Sequence, residues 1–221
     1  MDSPGITLLG LGPGDPELLT RQAWQILHAL PEIYLRTRQH PAVLGMPTSL
    51  QIHSFDEVYE KEDSFTNVYA HIVEQVLELG KRPQGVVYAV PGHPFVAEAT
   101  CPEIARRASL AGLPVHIVEG LSFLEPTFTA LNIDPLPHTA IVDALTLAQA
   151  LVPPFPPDAA VIIAQIHSVS VASDIKLTLM ETYPDEHPVK LVHAAGSKQQ
   201  VVESLPLYEI DRSAHIGLLT T

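Results

Sequence analysis

Three glycine-bearing loops, each directly after a short apolar run, are the places in this 221-residue chain where chemistry could be done. The first, Gly10-Leu11-Gly12-Pro13-Gly14-Asp15, follows Ile6-Thr7-Leu8-Leu9. The second, Val90-Pro91-Gly92-His93-Pro94-Phe95-Val96-Ala97-Glu98, ends the run that begins at Gly85. The third, Val118-Glu119-Gly120-Leu121-Ser122-Phe123-Leu124, follows Val115 to Val118. Glycine lets a backbone come close to a ligand, and open α/β sheets bind ligands beyond the C-terminal ends of their strands. Two phosphate-binding readings fail. A dinucleotide fingerprint needs Gly where Asp15 stands, and no Walker-type glycine–lysine loop occurs. The first loop is then either a tight strand-to-helix turn or a backbone surface for a ligand other than phosphate. In the second loop two prolines stiffen the backbone, and His93 is either a ligand contact or a solvated side chain. The third loop is half of a nucleophile elbow, but Leu124 replaces the second glycine. Ser122 therefore reads as a helix cap or a ligand hydrogen-bonder, and no catalytic residue is assigned.

These loops need elements to hold them. Asp15 before Pro16 suits a helix start, and Leu18, Leu19, Ala23, Ile26, Leu27 and Leu30 follow at helical spacing until Pro31. Glu32 to Leu35 is a second strand. Ser64 caps a long helix with Val68, Ile72, Val73, Val76 and Leu77 on one face and Gly80 as its stop. Residues 85–90 are apolar throughout, as in a strand buried on both faces of a parallel sheet. A helix spans 97–111 with Gly112 as its stop, then a strand 115–118. The second half continues with strands at 139–142, 160–165, 190–194 and 215–219 and helices at 171–182 and 198–205. The alternation predicts an α/β protein of two α/β domains, 1–115 and 116–221. Glu57-Val58-Tyr59-Glu60 reads as part of a solvated loop.

Composition narrows the function. Twelve Lys and Arg against 25 Asp and Glu give a net charge of -13, the wrong sign for a general nucleic-acid binder or for an anionic membrane surface. No apolar stretch approaches the ~20 residues that span a bilayer, and Met1 to Gly5 have neither a basic region nor an apolar signal core, so no export signal is expected. Cys101 is the only cysteine, and the eleven histidines form no metal-binding spacing, so neither a disulfide nor a metal is expected. The expected location is the cytoplasm.

Taken together, the loops resemble a known family. Gly10 to Thr20, Gly-Leu-Gly-Pro-Gly-Asp-Pro-Glu-Leu-Leu-Thr, is similar to the opening signature of the tetrapyrrole methylases, the class III S-adenosylmethionine-dependent methyltransferases. The second and third loops match that family's Gly-Asp-Pro loop and its Gly-x-Ser segment. Pro91-Gly92-His93-Pro94, Glu119 to Phe123, Asp143-Ala144-Leu145, Gln165 to Ser168 and His193 to Ser197 more narrowly resemble the methylase-like domain that precedes a nucleoside triphosphate pyrophosphohydrolase domain in some MazG-type proteins. The resemblance implies two α/β domains with the cofactor S-adenosylmethionine in the cleft between them. It implies Gly92, His93, Val96 and Ala97 on the methionine and ribose side, with Ser122 and Phe123 at the domain junction. Gln165, Ile166, Ala194 and Gly196 would hold the adenosine, and Pro13, Gly14 and Asp15 would line the acceptor side. His93 departs from the family's Asp, which exchanges a fixed negative charge for a titratable ring.

Two functions follow as expectations. One is a methyltransferase acting on a tetrapyrrole or another small molecule. The other is a non-catalytic module that binds the cofactor and dimerises or regulates a fused C-terminal pyrophosphohydrolase domain. A homodimer is expected in either case. A tetrapyrrole precursor is a polycarboxylate whose site should carry cations. Only Arg21, Arg36 and Arg38 are candidates on the acceptor side.

Overall fold

Ile6–Gly10 (β1) and Val86–Val90 (β4) are buried at every position, so both of their faces must be covered. In the computed structural model, which describes residues 4–221, they lie side by side in a five-stranded sheet of order β3-β2-β4-β1-β5. The other strands are Glu32–Leu35 (β2), Gln51–Ser54 (β3) and Val115–Val118 (β5), and every pairing is parallel. Alternation along each strand sends successive side chains to opposite faces. Ile6, Leu8, Val86, Tyr88 and Val90 pack under Phe65–Gly80 (α3) and Thr100–Leu110 (α4). Leu9, Leu11, Val87 and Ala89 pack against Ala23 and Leu27 of Arg21–Ala29 (α1). Parallel order and two-sided cover place all five C-terminal strand ends on one edge. That edge carries the three loops.

Several local readings hold. Ser64 Oγ accepts from the Asn67 backbone N–H at 3.2 Å and starts α3, whose buried face is Val68, Ile72, Val73, Val76 and Leu77. Other readings change for identifiable reasons. The single helix expected from Asp15 to Leu30 is two pieces. Asp15 caps only a 3-10 turn, Pro16–Leu18, and Thr20 then caps α1 through its own hydroxyl. Two good caps five residues apart leave room for one turn between them. The helix expected from residue 97 starts at Thr100, because the second loop runs on through Ala99. The charge run at Glu57 to Glu60 is not a loop but the short helix Asp56–Lys61 (α2), with Val58 buried and Lys61 paired to Glu57 at 2.9 Å. The strand β3 carries half-exposed polar residues and left no apolar run to read.

The first compact unit extends through Phe123 and the second is Leu124–Thr221. Because β5 pairs with β1 as an edge strand of the first sheet, a boundary at 115/116 would detach that strand. The second unit contains Leu124–Leu131 (α5), Thr139–Asp143 (β6), Ala144–Ala148 (α6), Ala160–Ala164 (β7), Val169–Met180 (α7), Pro188–His193 (β8) and Val201–Pro206 (β9). Strands β6 and β7 pair in parallel, while β8 and β9 form an antiparallel pair. The helix expected at 198–205 is therefore a strand; Val201 and Val202 at its start favour the extended state. The strand expected at 215–219 is a turn, and only the last residues bridge to β8. Ile166, Val171, Ala172, Ile175, Leu179, Leu207 and Ile210 form this unit's core. Among the described residues no helix is long and apolar enough to cross a membrane.

Candidate functional site

The three loops of the first unit meet at their glycines. A Cβ placed on Gly10 would lie 2.6 Å from the Gly92 carbonyl oxygen and 2.7 Å from Gly120 N. One placed on Gly120 would lie 2.4 Å from that same oxygen. No side chain fits at either position, so the ends of β1, β4 and β5 are in backbone contact. The first and second loops are also tied reciprocally. Gly12 N–H donates to the Gly92 carbonyl at 3.2 Å, and Gly92 N–H donates to Gly12 at 2.8 Å. The third loop is tied to α1 through Thr20, whose hydroxyl donates to the Glu119 carbonyl at 3.3 Å and accepts from Ala23 N–H at 3.2 Å. Gly92 adopts φ +68, yet a Cβ there would find nothing nearer than Ser122 Cα at 3.9 Å. The junction thus has no room for a side chain at Gly10 or Gly120, whereas a Cβ on Gly92 would sit at ordinary van der Waals distance from the third loop.

His93 is fixed within this loop. Its Nδ1 lies 3.0 Å from the Phe95 backbone N–H, which can only donate, so Nδ1 carries no proton in this geometry. The ring thus takes over the local acceptor role of a carboxylate, and in its neutral form it offers a donor, Nε2–H, at its other edge. Its carbonyl accepts from Val96 N–H at 3.1 Å, closing the turn. Ala97, the next expected contact, is left-handed at φ +52. Such a conformation costs about 1–2 kcal/mol for a residue with a Cβ, and it clusters at ligand sites.

Glu98 holds the exit of the loop. Its side chain is 2% exposed and paired with Arg36, which follows β2. The other carboxylate oxygen accepts from Thr100 N–H at 2.7 Å and from its hydroxyl at 2.5 Å. Arg36 also donates to Tyr59 at 2.9 Å and to Tyr69 at 3.2 Å. Burial works against the guanidinium charge, but Glu98 and Tyr59 outweigh it and hold the Arg36 pKa above its ordinary value. Burial pushes the Cys101 thiol up, which removes it as a nucleophile. Neither Thr20 nor Glu98 was singled out by sequence. An acidic residue at the end of an apolar loop, with an arginine just past an apolar strand, was the available signal.

In the second unit, Gln165 and Ile166 follow β7, while Ala194 and Gly196 follow β8. The chain's last residues bring these loops together. Ile166 N–H donates to Thr220 at 3.0 Å, and Ala194 N–H donates to Leu219 at 2.9 Å. Gln165 and Ala194 are left-handed at φ +66 and +50. Three of the expected cofactor contacts therefore hold the conformation that non-glycine residues avoid. Pro13, Gly14 and Asp15 lie in the first loop, where Asp15 Oδ1 accepts from Glu17 N–H at 3.0 Å.

His40 stands on the segment after β2. It is 5% exposed, its Nδ1 has no partner among the described residues, and burial pushes its pKa down to about 4. The unfolded ring takes a proton near 6.5 that the folded ring refuses. Stability is then complete above that pH and is lost as pH falls toward 4, by up to about 3 kcal/mol. Urea unfolding at pH 7 and pH 4.5 should show a clearly smaller acid loss in His40→Phe than in the wild type. Equal losses would refute it.

This arrangement has known counterparts. Residues 5–211 match the model of the family described as Tetrapyrrole (Corrin/Porphyrin) Methylases. The chain belongs to the tetrapyrrole methylase family. A protein of Bacillus subtilis (strain 168), uncharacterized protein YabN, is 39% identical over 217 residues, which is 98% of this chain and 44% of that protein. The chain thus spans less than half the length of this curated relative. Uroporphyrin-III-C-methyltransferase from Thermus thermophilus has a similar structure, with TM-score 0.71 and 21% identity over 97% of this chain and 91% of that one. A structure of the Thermus thermophilus enzyme complexed with S-adenosylhomocysteine is similar with TM-score 0.61 and 21% identity, covering 94% of this chain and 90% of that one. The two-domain α/β fold is that of the tetrapyrrole methylases.

Proposed function

We propose that this chain is an S-adenosylmethionine-dependent methyltransferase with a small-molecule acceptor. The observation that carries the reading is the backbone junction of Gly10, Gly92 and Gly120 at the edge where the sheet's strands end. Family membership and the S-adenosylhomocysteine bound to a similar structure support it. The second loop, Gly92 to Ala97, with Ser122 and Phe123, takes the methionine and ribose end. Gln165, Ile166, Ala194 and Gly196 take the adenosine. The left-handed backbone at Ala97, Gln165 and Ala194 supports these assignments, because such conformations cluster at ligand sites.

S-adenosylmethionine, when bound, supplies a methyl group on a sulfonium; its S–C bond breaks as the acceptor's nucleophilic atom forms the new bond. What the protein must add is alignment and exclusion of water, more than a strong acid or base. Rigid loops suit that task. Pro91 and Pro94 preset the second loop, His93 caps it, and Glu98 fastens its end. Since Glu98 is committed to Arg36 and Thr100, it serves position rather than proton transfer. Incubation with methyl-labelled S-adenosylmethionine and a low-molecular-weight cell extract should transfer label to a small molecule. Transfer only to protein or nucleic acid would contradict the proposed acceptor class.

We also propose that the chain forms a homodimer in the cytoplasm. Light scattering should give twice the 24.0 kDa chain mass; a 24 kDa particle across a wide concentration range would refute the dimer. The reading as a module of a MazG-type pyrophosphohydrolase rests on sequence resemblance. It carries its own test, because magnesium-dependent cleavage needs several convergent carboxylates. Among the described residues no group of three or more His, Cys, Asp or Glu is placed to hold a metal. With magnesium and a panel of nucleoside triphosphates, the chain should release no pyrophosphate. Turnover that is lost in Glu57→Gln/Glu60→Gln would make it the hydrolase.

A further inference from the structure

Thr20 makes two bonds with one hydroxyl. It accepts from the Ala23 backbone N–H at 3.2 Å, which caps α1, and it donates to the Glu119 carbonyl at 3.3 Å, 99 positions away. The cap needs only an acceptor, and Asp, Asn or Ser would serve it as well. The second bond needs a donor, which a hydroxyl has and a carboxylate lacks. The carbonyl it holds belongs to the peptide unit between Glu119 and Gly120. That unit is planar, so fixing the carbonyl also fixes the direction of Gly120 N. This nitrogen lies in the glycine junction, where a Cβ on Gly10 would come within 2.7 Å of it. The first and second loops hold each other by the reciprocal backbone bonds of Gly12 and Gly92. The third leaves β5, at the edge of the sheet, and is bound by this side chain of α1. Gln22, in the same turn of α1, places its amide nitrogen 3.4 Å from the ring Nε2 of His116 on β5.

Building on the methyltransferase reading, we propose that Thr20 is a positioning residue for the cofactor: its hydroxyl sets the plane of the Glu119–Gly120 peptide and, through it, the course of the third loop to Ser122 and Phe123. Those two residues take the methionine and ribose end in that reading. Ser122 is buried, so its position follows that of the backbone that carries it. Without the hydroxyl the peptide unit can rotate within the limits that the glycine junction sets, and Gly120 has no side chain to resist the rotation. Ordering the loop again would then be charged to cofactor binding, which weakens it.

Three variants of the full chain separate the two bonds, each followed by calorimetric titration with S-adenosylhomocysteine and by urea unfolding. Thr20→Ser keeps both bonds and should match the wild type in both measurements. Thr20→Asp keeps the cap but turns an acceptor toward the Glu119 carbonyl. Its unfolding midpoint should stay near that of the wild type while Kd rises about three- to tenfold. Thr20→Gly, also tolerated as a cap, removes the hydroxyl without adding a charge and should show the same split. It decides the matter if the Asp variant does not fold. A Kd within about twofold of the wild type in a folded Thr20→Asp or Thr20→Gly would overturn the role. So would a Thr20→Ser that binds as weakly as they do, or weakening only where the unfolding midpoint also falls steeply. The wild-type titration separates the two levels. If the wild-type chain takes up no S-adenosylhomocysteine, the methyltransferase reading falls and this role with it; if it binds and loss of the hydroxyl changes nothing, the role of Thr20 alone falls.

Discussion

Arg36→Met is expected to destabilise the first unit by about 3–5 kcal/mol, because it leaves Glu98 buried and charged with no cation. Glu98 keeps its bonds from Thr100, but these do not neutralise it. The double variant Arg36→Met/Glu98→Leu removes both charges and should recover much of the loss, since the cost lies in the orphaned charge rather than in the absent contact. Denaturant unfolding of the wild type, the single and the double variant measures this directly. A double variant no more stable than Arg36→Met would contradict the account. The pair also fixes the end of the loop that begins at Gly92. The double variant, even when stable, should therefore bind S-adenosylhomocysteine more weakly than the wild type.

Gly120→Ala should be nearly as damaging, at about 3 kcal/mol or more, because overpacking against backbone has no side chain to move aside. The new methyl would sit 2.4 Å from the Gly92 carbonyl oxygen and 2.9 Å from Gly10 C. Gly92→Ala offers a contrast. Its nearest neighbour would be 3.9 Å away, so only the left-handed backbone opposes it, at about 1–2 kcal/mol. The thermal midpoint should fall much further for Gly120→Ala than for Gly92→Ala. The reverse order would show that the three loops do not meet as described.

The first sheet was legible because its chemistry is local. Residues 85–90 are apolar throughout, and β4 is buried at every position between two layers. Ser64 before an amphipathic stretch announced α3, and its hydroxyl makes the expected bond. Reading failed where tertiary pairing overrides composition. Nothing apolar marks Gln51–Ser54, which is a strand because β2 offers it an edge. Lys198 to Leu205 looked like a helix, but Val201–Pro206 follows the ladder of β8. At the site, the glycines could be read as permission for close approach, while their mutual contact could not. That contact depends on the register that sets β1 between β4 and β5. Arg36 shows the limit most clearly. As a residue type it was a free cation for an anionic substrate; folding commits it to Glu98, 62 positions away.

Calorimetric titration of the wild-type chain with S-adenosylhomocysteine, run beside Gly92→Trp, tests the central claim. Saturable binding is predicted for the wild type. Loss is predicted for the variant, whose indole would project from the second loop into the place proposed for the cofactor, while circular dichroism reports an unchanged fold. No heat with the wild-type chain, or binding undisturbed in a folded Gly92→Trp, would contradict a cofactor site at the junction of these loops.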